Sequence, residues 1–193
     1  MRVIAGSARS IQLNTPPGNG TRPTTDKIKE TLFNMLQFDL PGCLFLDLFA
    51  GSGGIGIEAL SRGAAHAYFT DTASVPVQII KENLRKCHLE DRATVIKGDA
   101  LLQISRIETD RINDPKVGDL PIIAFLDPPY DKGMEFPVLK ALADAELLDA
   151  DSIVIVESSL KGDLSPALAY GYEVEREKIY KNQKHTFLRK ATS

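Results

Sequence analysis

Residues 45–58 read FLDLFAGSGGIGIE, an apolar run that breaks into a glycine loop and resumes as a short helical pattern. Gly51, Gly53 and Gly56 spell G-x-G-x-x-G, the mark of a strand–turn–helix loop that meets an adenosine-type ligand. Glycine is needed because the chain must leave a strand, turn sharply and bring its backbone against the ligand, where side chains would intrude. The helix that follows aims its N-terminal N–H groups at the same place, which suits an anion or a carboxylate-bearing amino acid.

Outward from this loop the chain alternates strand and helix. LFLDLF, AYFTD, ATVIKGD, PIIAFLD and SIVIVES are apolar runs of strand length. Between them IGIEALSRG, SVPVQIIKENLRKC, ALLQISRI and EFPVLKALADAELL have helical spacing; the third fades into the polar stretch ETDRINDPKVGD. Strands apolar throughout and separated by helices predict a parallel sheet covered on both faces. The tail differs: YEVEREKIY and HTFLRK flank the short turn KNQK, an antiparallel hairpin. The expected fold is therefore α/β and doubly wound, with seven strands from Cys43 onward, mostly parallel, and ligands at the carboxyl ends near the switch in strand order. Before it, residues 2–13 predict a short β-hairpin, residues 14–25 a Pro/Gly-rich loop, and residues from Asp26 to about Phe38 a helix capped by Thr25 or Asp26. A single domain over 1–193 is expected, with 1–40 as an N-terminal extension and 41–193 as the core.

Carboxylates decide between ligands that the glycines alone leave open. Asp71 lies 20 residues after Gly51, where an acidic side chain accepts from ribose hydroxyls. That spacing serves NAD and S-adenosylmethionine alike. Asp47, four residues before Gly51, would oppose a pyrophosphate but suit the cationic methionyl end of S-adenosylmethionine. Asp99, in GDA at 98–100, can accept from an adenine amino group, with the Ala100 N–H beside it; it can equally cap the helix ALLQI.

Residues 127–130 read Asp-Pro-Pro-Tyr and end the strand PIIAFL. A diproline turn with a surface tyrosine is the plain reading. Its position gives it weight, because the fourth strand of such a sheet lies beside the first and faces the glycine loop. A nucleobase exocyclic amine is a poor nucleophile, its lone pair delocalised into the ring. The Asp127 carboxylate and the Pro128 carbonyl can accept from that amine and turn its lone pair toward a sulfonium methyl. Pro128 and Pro129 stiffen the turn and remove competing donors. Tyr130 offers a ring on which an extruded base can stack.

The 193 residues carry a net charge of −3, 43% apolar and 25% charged residues, ordinary values for a globular protein. No apolar run approaches the ~20 residues that span a bilayer, and the N-terminus lacks a secretory h-region, so a cytoplasmic protein without membrane contact is expected. Two cysteines and three histidines show no metal-ligand spacing, so no metal is expected. Charge is uneven: residues 1–36 and 173–193 are each net +3, and residues 37–172 are net −9. Solvated surface charge explains this as well as two basic ends that contact phosphates.

The chain resembles the bacterial small-subunit ribosomal RNA guanine-N2 methyltransferases. The resemblance rests on MRVIAG at 1–6, TRPTTDKIKETLFNML at 21–36, LDLFAGSGGIGIEALSRGA at 46–64, KENL at 81–84, DPPY at 127–130 and IVIVE at 153–157. It covers nearly the whole chain, and the first two blocks are not shared by methyltransferases at large. It implies a class I, S-adenosylmethionine-dependent fold and methyl transfer to one guanine N2 of 16S rRNA, in the small subunit or its assembly intermediate, by a monomer. It implies Asp47, Ala50, Gly51, Ser52 and Gly53 as the methionine-end loop, Asp71 as ribose acceptor, Asp99 with Ala100 as adenine site, and Asp127 to Tyr130 as the catalytic motif. Arg22 and Thr24 fall in its RPT block, which closes over cofactor or substrate. Where the family usually carries Glu, this chain has Asp71, which would reach ribose through one hydroxyl or through water. Arg2, Arg9, Arg22, Lys181, Lys184, Arg189 and Lys190 are the expected RNA contacts. Rival readings are an adenine-N6 methyltransferase, an NAD-dependent oxidoreductase and a non-catalytic RNA-binding module. The chain leaves little room for the target-recognition domain of the first and shows no hydride-transfer arrangement for the second; the third leaves the carboxylate set unexplained.

Overall fold

A computed structural model describes residues 1–16, 25–145 and 147–191. The chain runs α1 (Asp26–Met35), β1 (Leu44–Asp47), α2 (Gly54–Ser61), β2 (His66–Asp71), α3 (Ser74–Cys87), β3 (Ala93–Lys97), α4 (Ala100–Asn113), β4 (Ile122–Leu126), α5 (Glu135–Asp144), β5 (Ile153–Ser159), β6 (Tyr172–Ile179) and β7 (Gln183–Lys190). One seven-stranded sheet has the order β3-β2-β1-β4-β5-β7-β6. The first five strands pair in parallel, and β7 pairs antiparallel with both β5 and β6. Strand order reverses between β1 and β4, with Asp47 beside Phe125. A mostly parallel α/β sheet closed by an antiparallel hairpin is the fold expected from the sequence.

Both faces of the central strands are buried, which is why their sequences do not alternate. Phe45, Ile123, Phe125 and Ile155 face one core with Leu32, Phe33 and Leu60. Leu44, Leu46, Ala124 and Val154 face the other with Ile104, Ile107 and Leu139. The outer strand β6 is an exposed edge carrying Glu173, Glu175, Glu177 and Lys178. Charges there discourage pairing with another chain.

Three local expectations change. Residues 2–13 form only a single antiparallel bridge, Arg2 to Gln12, rather than two strands. Backbone bonds from Val3 N–H to the Ile11 carbonyl and from Leu13 N–H to the Met1 carbonyl, both 3.0 Å, flank that bridge, while the Ile4 and Ala5 N–H groups donate to the Glu58 carboxylate at 2.8 and 3.0 Å, so this segment is tied to α2 as well as to itself. α1 stops at Met35, three residues short of Phe38; the following turn bonds Asp39 and Leu40 back to the Leu36 carbonyl and leaves Phe38 in solvent. Its N-cap is Thr25, whose hydroxyl accepts from the Ile28 N–H. α4 continues through the polar ETDRIN because Ile107 is buried and Arg111 donates to the Gly118 and Leu147 carbonyls.

Buried charge fastens the N-terminal segment. Glu58 is fully enclosed with Lys29 at 3.2 Å and Arg62 at 2.7 Å. Burial lowers the Lys29 ammonium below its usual range, and Glu58 opposes that shift. With both cations and two backbone N–H groups on one carboxylate, the cluster satisfies its polar atoms, the condition for tolerating ions in a core.

Candidate active site

A cavity of about 420 Å³ opens at the carboxyl ends of β1 and β4, at the switch in strand order. Its wall is built first by the glycine loop. Gly53 takes φ +77° as the N-cap of α2, a left-handed conformation that side chains rarely adopt. Gly56 lies so close to β2 that a Cβ there would stand 2.3 Å from the Phe69 ring. The loop is then pinned by carboxylates. Asp47 accepts from the Gly56 N–H at 2.9 Å, and Asp71 accepts from the Gly51 N–H at 3.1 Å and the Ala73 N–H at 2.9 Å.

Most of the expected site converges here. Asp47, Ala50, Gly51 and Ser52 line the cavity together with Asp71, Asp99 and Ala100, and Asp127, Pro128, Pro129 and Tyr130 close it from the β4 side. Gly53 shapes the loop but is not on the wall. Asp99 is also the N-cap of α4, accepting from the Leu101 N–H at 2.9 Å, so its helix-capping reading is realised at a residue that also faces the cavity. Arg22 and Thr24 lie outside the described residues.

The basic residues divide. β7 runs antiparallel to β5, so Lys184 lies opposite Ser158 near the carboxyl end of β5, with Lys181 in the turn just before it. Arg189 and Lys190 lie at the other end of the hairpin, opposite Glu173 and Tyr172, away from the cavity edge. Lys184 pairs with Glu177 at 2.7 Å and Arg189 with Glu175 at 3.3 Å. Arg2 pairs with Asp26 at 3.0 Å, and Arg9 is exposed on the N-terminal segment.

Sequence reasoning missed Glu157. It lines the cavity from β5 and is buried, with its carboxylate accepting from the Tyr130 hydroxyl at 2.7 Å. It stood in plain view at the end of IVIVE, where an acid after four apolar strand residues signals a buried charge. Met1, Thr15, Phe125 and Met134 also reach the wall; no local pattern marks them, because the tertiary fold alone brings them there.

The electrostatics follow from crowding acids in a confined space. Burial pushes the Asp47 carboxyl up to about 7, opposed by the Gly56 N–H and reinforced by Asp71. Burial likewise raises Asp127 well above the carboxylate range, with Glu157 and then Asp47 adding to the shift. Asp47, Asp71, Asp99, Asp127 and Glu157 all face the cavity, while no Lys, Arg or His side chain does among the described residues. Such a wall favours a cation and disfavours a pyrophosphate. The set of residues on the wall therefore fits a cationic ligand such as S-adenosylmethionine. Among the described residues no Cys/His/Asp/Glu group has metal-site geometry. Both cysteines are buried, and burial pushes the Cys43 thiol up to about 12, which makes it a poor nucleophile.

Comparison with known proteins agrees with this geometry. The family model described as Conserved hypothetical protein 95 matches residues 1–189. "Putative rRNA methyltransferase YlbH" of Bacillus subtilis is 37% identical over 164 residues, covering 85% of each chain. Ribosomal RNA small subunit methyltransferase D of Escherichia coli is 32% identical over 179 residues, 93% of this chain and 84% of that one. The solved structure of the Escherichia coli protein yhhF matches with a TM-score of 0.79 at 28% identity, over 100% of this chain and 99% of that chain. The fold is that of the class I S-adenosylmethionine-dependent methyltransferases. The chain accordingly belongs to the family described as Conserved hypothetical protein 95, that of the small-subunit rRNA methyltransferases D.

Proposed function

We propose that this chain transfers a methyl group from S-adenosylmethionine to the exocyclic N2 amine of a guanine in 16S rRNA. The observation that carries the reading is the acidic cavity with Asp127-Pro128-Pro129-Tyr130 on one side and the glycine loop on the other. The names of the relatives support ribosomal RNA as substrate. The choice of guanine N2 rests on the sequence resemblance.

When bound, S-adenosylmethionine supplies an electrophilic methyl on a cationic sulfur. Asp47 would neutralise its methionyl end, Asp71 would receive its ribose, and Asp99 with the Ala100 N–H would receive its adenine. The Asp127 carboxylate and the Pro128 carbonyl accept from the guanine amine and orient its lone pair. One N–C bond forms as one S–C bond breaks, and the proton that the amine sheds passes to Asp127. Tyr130 stacks on the extruded base. Lys181 and Lys184, on the cavity side of the hairpin, contact rRNA phosphates, and Arg2 and Arg9 extend that contact along the N-terminal segment.

Two measurements test this. Calorimetric titration is expected to show S-adenosylmethionine binding and no NADH binding; the reverse pattern would revive the oxidoreductase reading. Asp127→Ala is expected to lower kcat by roughly 10²–10⁴-fold, the effect of a positioned proton acceptor, and unchanged turnover would remove that role.

A further inference from the structure

Glu157 does more than line the cavity. Its Oε1 accepts from the Tyr130 hydroxyl at 2.7 Å, and its Oε2 accepts Nε2–H of His185 at 2.8 Å. His185 is wholly buried on β7, directly opposite Glu157 in the antiparallel register. The other ring nitrogen, Nδ1, shares a hydrogen bond of 3.3 Å with the Tyr180 hydroxyl. The imidazole is wedged edge-on between the rings of Tyr180, at 5.0 Å, and Phe125, at 5.8 Å. A continuous polar chain therefore links a cavity side chain to the β6–β7 turn.

Stability alone gives this chain little reason to exist. A buried acid–imidazole pair inside a sheet is commonly replaceable by apolar residues at no loss. What the pair does here is hold one atom of one cavity residue. Tyr130 sits on a loop, followed at once by Asp131 in the left-handed region at φ +60°. Such a ring turns about its side-chain bonds unless its far end is fastened, and a stacking platform must be fixed before the base arrives.

We propose that Glu157 and His185 are positioning residues of the base site: they clamp the Tyr130 hydroxyl and so fix the ring that receives the target base, which makes the antiparallel strand β7 a working part of the active site. The proposal rests on the reading of Tyr130 as the stacking platform. The clamp acts through Tyr130, so its effect must vanish when that hydroxyl is absent.

The test begins with fluorine NMR of the full chain labelled with 3-fluorotyrosine. Five tyrosines give five lines, and Tyr130→Phe identifies its own by removing it. Glu157→Gln and His185→Phe are each expected to shift or broaden the Tyr130 line while the Tyr68 line stays; an unmoved Tyr130 line in both variants overturns the clamp. In methyl transfer to undermethylated small subunits, each variant is expected to lose about tenfold in kcat, as for one charge-assisted hydrogen bond. Affinity for S-adenosylmethionine should stay as in the wild type in His185→Phe, which leaves the Glu157 charge in the cavity wall, and His185→Gln, which restores a donor, should recover most of the rate. In a Tyr130→Phe background, compared at a pH where the rate has levelled off and Asp127 is ionised in every variant, Glu157→Gln should cost less than twofold; losses that multiply would overturn the proposal. Glu157→Gln preserves shape, so it carries the test should His185→Phe fail to fold. A wild-type protein that methylates no rRNA would defeat the proposed function, and the fluorine spectra would still decide the clamp.

Discussion

In the proposed reaction Asp127 must be ionised to accept a proton, yet the acidic cavity wall resists its charge. Burial raises its carboxyl well above the usual range, and Glu157 and Asp47 push in the same direction. Activity should therefore climb with pH as Asp127 deprotonates, and kcat/KM should be higher near pH 8 than near pH 5. The same shift bears on stability with the opposite sign. A carboxyl whose folded pKa exceeds its unfolded one makes the folded chain bind more protons, so its contribution is full at about pH 4 and is lost as pH rises through the raised value. For Asp47 that value is about 7. Asp127→Asn removes one such liability. It should raise the Tm of the ligand-free protein by about 2–4 °C near pH 8, with no gain near pH 4, while abolishing activity. Thermal melts at the two pH values check this, and a lower Tm near pH 8 would contradict it. At this scale the sequence showed Asp47, Asp71, Asp99 and Asp127, because each ends a strand beside a recognisable turn. Glu157 was visible as an acid in an apolar strand, but its role was not, because that depends on a partner 28 residues away on another strand.

The N-terminal segment shows how a short hairpin can be cut to a single bridge by bonds to a neighbouring element. Two short strands in residues 2–13 suggest a hairpin, and Val3 and Leu13 do bond across it, but the Ile4 and Ala5 N–H groups bond Glu58 on α2 and end the pairing there. Gly6 makes the approach possible. At φ +83° it passes so close to α2 that a Cβ would fall 1.8 Å from the Ser61 carbonyl oxygen. Gly6→Ala should thus cost about 3 kcal/mol in stability, from overpacking added to a left-handed backbone. A urea midpoint equal to that of the wild type would contradict this. The segment also reaches the site, since a Cβ on Gly54 would meet the Met1 sulfur. The long α4 was hidden for a related reason: its last turn is polar, and helicity there depends on Arg111 bonding carbonyls outside the helix.

For the whole molecule, the parallel core was legible because every central strand is apolar on both faces, and the antiparallel tail because β6 and β7 flank a short polar turn. The placement of charge was not. Four basic residues in the tail read as one RNA-binding set, yet a hairpin carries its turn and its open end to opposite ends of the strands, leaving Lys181 and Lys184 on the cavity side and Arg189 and Lys190 on the other. Neutralising Lys181 and Lys184 together should flatten the slope of log affinity for rRNA against log[salt] by about 1–2, roughly one for each phosphate no longer neutralised. Neutralising Arg189 and Lys190 should change it less. Equal changes from the two pairs would contradict this division of the hairpin.

Methyl transfer to guanine N2 in 16S rRNA is tested most directly by incubating the protein with labelled S-adenosylmethionine and undermethylated small ribosomal subunits, then mapping the modified nucleotide. Label is expected on the N2 amine of a guanine in 16S rRNA and is expected to be lost with Asp127→Ala. Label on an adenine, or none in 16S rRNA, would contradict it.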